Sequence, residues 1–126
     1  MDASVLIAAI DDADSHPERA IAELEAALDE QTVRVPAVAF AEALVVPYRK
    51  SQSYGRAVEG GLRRLGRVEP VTPGIASRAA QLRARRKIKL PDALILATAL
   101  ELHAQEILTF DERWRSIDPR VRLLTA

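Results

Sequence analysis

The sequence predicts an α/β domain in which helices cover both faces of a mainly parallel sheet. Short segments rich in β-branched residues alternate with longer segments whose apolar residues recur at helical spacing, a pattern typical of parallel sheets. The 126 residues, 48% of them apolar and 29% charged, suffice for one hydrophobic core and argue against disorder. No repeat or linker divides the chain, so we expect residues 1–126 to form one domain.

The first half of the chain is predicted to contain four helices and one strand. An apolar run after Asp2 predicts a short helix over 4–11, and Pro17 starts a second helix. The remaining elements are a strand over 33–35, a helix over 37–46 that Pro47 ends or kinks, and a helix over 51–65.

The second half is predicted to contain three strands and three helices. In order they are a strand over 68–71, a helix started by Thr72-Pro73, a helix over 92–104 after Pro91, a strand over 106–110, a short helix over 111–117 and a strand over 121–124. In such sheets ligands bind beyond the carboxyl ends of the strands. Asp2 and Asp111 both fall where a strand is predicted to pass into a helix.

The chain contains no cysteine, so disulfides and thiolate metal sites are excluded and a reducing compartment is expected. The first apolar run follows an acid rather than a basic segment, which argues against a signal peptide. The longest apolar stretch is too short to span a bilayer. We therefore expect a soluble cytoplasmic protein that makes no use of a membrane.

Charge is distributed unevenly although the net charge is zero. Residues 1–48 carry a net −8, residues 49–89 a net +10 and residues 90–126 a net −2. The basic middle segment favours a polyanionic partner. Alternatively, its arginines and lysines only solvate the outer faces of helices.

Four acids lie within or next to apolar segments of the sequence. Glu42 is the only ionisable residue in a long apolar stretch, Asp92 opens another, and Asp2 precedes a third. Asp111 follows a predicted strand directly. A lone buried carboxylate is strongly unfavourable, so these acids either reach water at a cleft or face a cation.

Each of these acids also has a structural explanation. Asp2 and Asp111 suit helix N-caps, and Asp92 suits a first helical turn, where a carboxylate favours the dipole. Glu42 has no capping role, and its structural alternative is a buried salt bridge with an arginine. As a set, four converging acids would bind a hard cation, above all Mg²⁺ or Mn²⁺, which take oxygen ligands.

Other hydrolytic sites lack their residues in this sequence. His16 and His103 have no ligand-like partners at useful spacing, and neither a cysteine pair nor a His-Glu-x-x-His motif exists, so a zinc hydrolase is not expected. The five glycines form no phosphate-binding loop. A local signature of Ser-His-Asp catalysis is also absent.

Four segments carry a family resemblance. They are Asp2-Ala-Ser-Val-Leu-Ile, Ala41-Glu-Ala-Leu-Val, Pro91-Asp-Ala-Leu-Ile-Leu-Ala-Thr-Ala and Ile107-Leu-Thr-Phe-Asp111. Their order and spacing resemble the PIN domain, particularly VapC-type toxins of bacterial and archaeal toxin–antitoxin pairs. In that family several residues of the first strand precede the first Asp, whereas here only Met1 does. We therefore expect either a shortened first strand or a start upstream of Met1.

The resemblance implies a three-layer α/β/α fold with a five-stranded parallel sheet and an Mg²⁺- or Mn²⁺-dependent endoribonuclease. By position, the acidic catalytic and metal site would consist of Asp2, Glu42, Asp92 and Asp111. Glu42 would ligate the ion directly, act through water, or serve as general base. Ser4 and Thr109 match hydroxyl positions beside the site, with helix capping and strand-end hydrogen bonding as their alternatives.

The resemblance also implies partners: an RNA substrate, a cognate antitoxin that blocks the cleft, and a second copy of the chain in a homodimer. A run of cations upstream of the third acid would hold the RNA backbone, namely Arg83, Arg85, Arg86, Lys87 and Lys89. A solvated helix end is the alternative for this run. The alternative function is a PIN-like module that no longer cuts and only binds RNA or a protein partner.

Overall fold

Five strands form one all-parallel sheet in the order β3-β2-β1-β4-β5. The computed structural model describes residues 4–9, 17–28 and 32–124. The strands are β1 (Ser4–Ala9), β2 (Thr32–Pro36), β3 (Arg67–Glu69), β4 (Glu106–Thr109) and β5 (Val121–Leu123). The predicted α/β class and the parallel five-stranded sheet are confirmed.

Helices cover both faces of this sheet. They are α1 (Pro17–Ala27), α2 (Ala37–Lys50), α3 (Gln52–Leu65), α4 (Pro73–Arg85) and α5 (Leu90–Glu101), followed by a 3-10 helix (Glu112–Ser116). One buried cluster joins one sheet face to α1, α2 and α3, and a second joins the other face to α4 and α5. Among the described residues, no helix combines the length and the apolar character that crossing a bilayer requires.

The first apolar run is a strand, so the predicted helix over 4–11 is wrong. β1 is the central strand, and Val5 and Ile7 join one buried cluster while Leu6 and Ala8 join the other. A strand that is buried on both faces is apolar throughout, so its sequence lacks the alternation that separates strands from buried helices.

The position of β1 also corrects the expectation for Asp2. A strand, not a helix, begins at Ser4, so the described first strand follows Asp2 instead of preceding it. Asp2 itself and the side chain of Ser4 lie outside the described residues. Their predicted roles therefore stay predictions.

Pro47 does not end α2, which continues to Lys50. The last turn of α2 is held against α3, because the Tyr48 ring fills the space beside Gly55. A Cβ atom at Gly55 would lie 2.2 Å from a carbon of that ring. This close packing keeps the chain helical beyond a residue that lacks a backbone donor.

The parallel topology places three of the predicted acids at one edge of the sheet. β4 ends at Thr109, so Asp111 lies just beyond its carboxyl end. α5 leads back to the start of β4, and its first turn, which holds Asp92, therefore lies at the carboxyl edge. α2 starts where β2 ends, and Glu42 is its sixth residue.

Candidate functional site

Asp111 caps the 3-10 helix and is bound by an arginine. Its Oδ1 accepts the backbone N–H of Arg113 at 2.9 Å, which is the N-cap contact of its structural alternative. The Arg113 guanidinium donates to the same carboxylate, from Nε to Oδ1 at 3.0 Å and from Nη2 to Oδ2 at 2.6 Å. The side-chain hydrogen bond from Arg113 holds the pKa of Asp111 below its ordinary value, against the effect of partial burial.

Thr109 fixes the chain beneath Asp111. The threonine is fully buried, and its Oγ1 accepts the backbone N–H of Asp111 at 3.0 Å. This is the strand-end hydrogen bond of the structural alternative. The same contact sets the direction in which the chain leaves β4, so Thr109 orients the acid as well as the strand end.

Asp92 is partly buried in the first turn of α5. Burial raises the pKa of Asp92 above its ordinary value, and the charge of Asp111 adds to the rise, while Arg113 and Lys89 oppose it. Asp92 is therefore a carboxylate held in a place that disfavours its charge.

Glu42 lies on the exposed side of α2, so the buried salt bridge considered for it is wrong. Its charge nevertheless acts on the same cation as the charges of the other two acids. The hydrogen bond from Asp111 is the main cause that raises the pKa of Arg113, and the charges of Asp92 and Glu42 raise it further. Three acids from three separate elements thus act on one guanidinium.

The donor chemistry of this acid cluster, defined as Glu42, Asp92 and Asp111, fits Mg²⁺ or Mn²⁺. All its donors are carboxylate oxygens, which these ions prefer, and they already face a cation in Arg113. Within residues 4–9, 17–28 and 32–124, however, no three acidic or histidine side chains are grouped closely enough to hold an ion. The three carboxylates are instead arranged so that their charges act on the Arg113 guanidinium.

A basic cavity of about 300 Å³ adjoins the acid cluster. Asp92 lines it together with four cationic side chains, which are Arg86, Lys87, Lys89 and Arg113. Lys89 is the residue before α5, and its charge lowers the pKa of both Asp92 and Asp111. Anion-binding and cation-binding groups therefore meet at Asp92.

The residues of the predicted cationic run do not all line one cavity. Residues 86–89 connect α4 to α5 and line the basic cavity. Arg83 and Arg85 belong to the last turn of α4, and Arg85 lines a different cavity between α4 and α5. Only the connecting segment is thus shown beside the acids.

Sequence reasoning did not single out Arg113, because among the cations it considered only the run upstream of Asp92. Its signal is the spacing Asp111-Glu112-Arg113, because an arginine two residues after an N-cap aspartate can return to it. The chain repeats this spacing at Asp118-Pro119-Arg120.

An all-parallel sheet with acids at its carboxyl edge defines an α/β protein with a candidate ion site at that edge. The chain belongs to the PIN domain family, since the family's sequence model matches residues 1–119. PIN domains generally act as nucleases. No curated protein sequence matches the chain.

Solved structures similar to this chain come from toxin–antitoxin systems. VapBC2 from Rickettsia felis, bound to a promoter DNA fragment, gives a TM-score of 0.70 at 16% identity, covering 96% of this chain and 97% of that one. A toxin–antitoxin complex from Klebsiella pneumoniae gives 0.66 at 26% identity, covering 95% and 96%. VapC20 from Mycobacterium tuberculosis, a toxin that cleaves the sarcin-ricin loop, gives 0.66 at 18% identity, covering 91% and 95%. These similarities support the fold along nearly the whole chain.

Proposed function

We propose that this chain is a divalent-metal-dependent endoribonuclease and the toxin of a VapBC-type toxin–antitoxin pair. The observation that carries the proposal is the acid cluster, whose three members come from separate elements and act on one cation inside a PIN domain. The similarity to VapC20, described as a sarcin-ricin loop cleaving toxin, supports RNA as the substrate.

The acid cluster would hold Mg²⁺ or Mn²⁺. Asp2 is not assigned to it, because β1 begins after Asp2 and the amino end of β1 lies at the opposite edge of the parallel sheet. When bound, such an ion lowers the pKa of a bound water and neutralises charge that grows on the phosphate. Asp92 and Asp111 are the proposed ligands in the described part of the chain, and Thr109 holds Asp111 in place through its buried hydroxyl. The raised pKa of Asp92 fits this role, because a nearby dication offsets the cost of its burial.

The RNA backbone would cross the basic cavity next to Asp92. We assign its phosphates to Arg86, Lys87 and Lys89, which line that cavity. Arg83 and Arg85 remain candidates for RNA beyond it. Since binding to phosphates releases counterions, the affinity for RNA should fall steeply with salt.

The proposed partners follow from the same similarity. The Klebsiella pneumoniae structure is described as a toxin–antitoxin complex, which supports a cognate antitoxin for this chain. We expect a cytoplasmic homodimer, and an open reading frame for a DNA-binding antitoxin next to the gene would support the pair.

Cleavage of a structured RNA by the purified chain tests the proposal. We expect cleavage with Mg²⁺ or Mn²⁺, none with EDTA, and a loss of about 100-fold or more in Asp92→Asn. Glu101→Gln is the matched control, because Glu101 ends the same helix and pairs with Arg78 on the surface. Full metal-dependent cleavage by Asp92→Asn would refute the site. Growth arrest on expression, abolished by Asp92→Ala, would support the toxin.

One observation favours a second function, a PIN-like module that binds RNA or protein without cutting. Arg113 pairs with Asp111 through two nitrogens, and no three of the described acids lie close enough together to hold an ion. Such a module would bind RNA with the same salt dependence but would show no metal-dependent cleavage. Wild-type cleavage that EDTA abolishes excludes it.

A further inference from the structure

Arg113 occupies a boundary between two kinds of site. On one side its guanidinium binds Asp111. On the other side the same residue lines the basic cavity with Lys87 and Lys89. One side chain therefore adjoins both the proposed metal ligands and the proposed path of the RNA.

The Arg113 side chain is also free enough to change partners. It is 68% exposed, and an ion pair this exposed stabilises a protein by only about 0–1 kcal/mol. Asp111 stays in place without the guanidinium, because its other contacts are backbone N–H groups. Its Oδ1 accepts from the backbone of Arg113, and its own N–H donates to Thr109.

We propose that Arg113 is an exchangeable cation, which neutralises the acid cluster in the metal-free protein and turns into the basic cavity to bind an RNA phosphate when a divalent ion enters. This inference rests on the proposed function. A divalent ion carries twice the charge of the guanidinium, so the acids favour the ion once it is present. Arg113, displaced from Asp111, then adds a planar donor fork that suits phosphate.

Two consequences follow for binding. Arg113 competes with the ion, so its removal should tighten metal binding. Metal entry frees a phosphate-binding residue, so metal and RNA should each strengthen the binding of the other.

Metal affinity is the first test, measured as Mn²⁺ binding without RNA. Arg113→Gln keeps the backbone N–H that caps Asp111 and removes only the charge, and we expect it to bind Mn²⁺ about three- to tenfold more tightly than wild type. Arg115→Gln is the matched control, since Arg115 lies on the same 3-10 helix and pairs with Glu112 at the surface. An affinity for Mn²⁺ that is unchanged or weaker in Arg113→Gln would overturn the inference.

The second test observes the guanidinium itself by following arginine Nε–H signals in NMR spectra. We expect saturating Mg²⁺ to move the Arg113 signal, identified by its loss in Arg113→Gln, and to leave the Arg120 signal in place. An unmoved Arg113 signal would overturn the exchange. If the wild type binds Mn²⁺ and cleaves RNA but Arg113→Gln has the same affinity for Mn²⁺, the inference is rejected and the proposed function stands. Absence of Mn²⁺ binding in both proteins rejects the proposed function with it.

Discussion

Two Asp-x-Arg pairs in this chain have nearly the same local geometry and different surroundings. In each, the arginine backbone N–H reaches the aspartate Oδ1 at 2.9 Å. The arginine Nε donates to the same oxygen, at 3.0 Å in Asp111–Arg113 and 2.8 Å in Asp118–Arg120. The local sequence therefore builds the same contact twice.

The surroundings separate the two pairs. Arg120 is 28% exposed and also donates to the Ala104 carbonyl at 3.2 Å, which ties the turn before β5 to the turn before β4. Arg113 is 68% exposed and faces the additional charges of Asp92 and Glu42. Asp118–Arg120 is thus a structural pair, whereas Asp111–Arg113 is the pair whose cation we propose to be exchangeable.

The largest expected difference between the pairs concerns catalysis. Asp111→Asn should lower metal-dependent RNA cleavage by about 100-fold or more, because a ligand of the proposed ion is neutralised. Asp118→Asn should lower it by less than about threefold, since the ordered turn lies outside the acid cluster. The kcat/KM of each variant relative to that of the wild type measures both effects. Circular dichroism checks that the variants are folded. Similar losses in the two variants would contradict the distinction.

Most of the fold could be predicted because the residues that mark helix starts are local signals in the sequence. Pro17, Thr72-Pro73 and Pro91 mark helix starts, and the structure begins α1, α4 and α5 at or next to them. The helix over 4–11 failed because burial on both faces of β1 removes the pattern that distinguishes a strand. Pro47 does not end α2, because the packing of Tyr48 on Gly55 outweighs a local signal. The kink that was its alternative stays a prediction.

The candidate site was only partly accessible to sequence reasoning. Glu42, Asp92 and Asp111 were singled out because each lies in or beside an apolar run, and parallel topology brings them to one edge. The partner Arg113 was not found, because a surface arginine in a polar segment carries no such contrast. Which cations of the run lie beside Asp92 also depends on tertiary structure. Only those in the segment between α4 and α5 line the cavity that contains Asp92.

A smaller difference is expected in stability. Arg120→Gln should lower the free energy of unfolding by about 1–2 kcal/mol, because it leaves Asp118 and the Ala104 carbonyl without their partly buried donor. Arg113→Gln should lower it by less than about 0.5 kcal/mol, since an exposed pair contributes little. Urea titrations at neutral pH measure both. A cost at Arg113 equal to that at Arg120 would show that the site pair is structural as well.

The smallest expected effect is the pH dependence of the difference in unfolding free energy between wild type and Arg120→Gln. The side-chain hydrogen bond from Arg120 is the main cause that lowers the pKa of Asp118. A folded-state pKa below the unfolded value means that the pair stabilises the protein above the unfolded value of about 4, and that this contribution is lost as the pH falls through the folded value. The gap in unfolding free energy between wild type and Arg120→Gln should therefore shrink on acidification below about pH 4, by less than about 1 kcal/mol. A gap that stays constant under acid would mean that Arg120 acts through the Ala104 carbonyl alone, and the resemblance of the two pairs would then be one of shape and not of electrostatics.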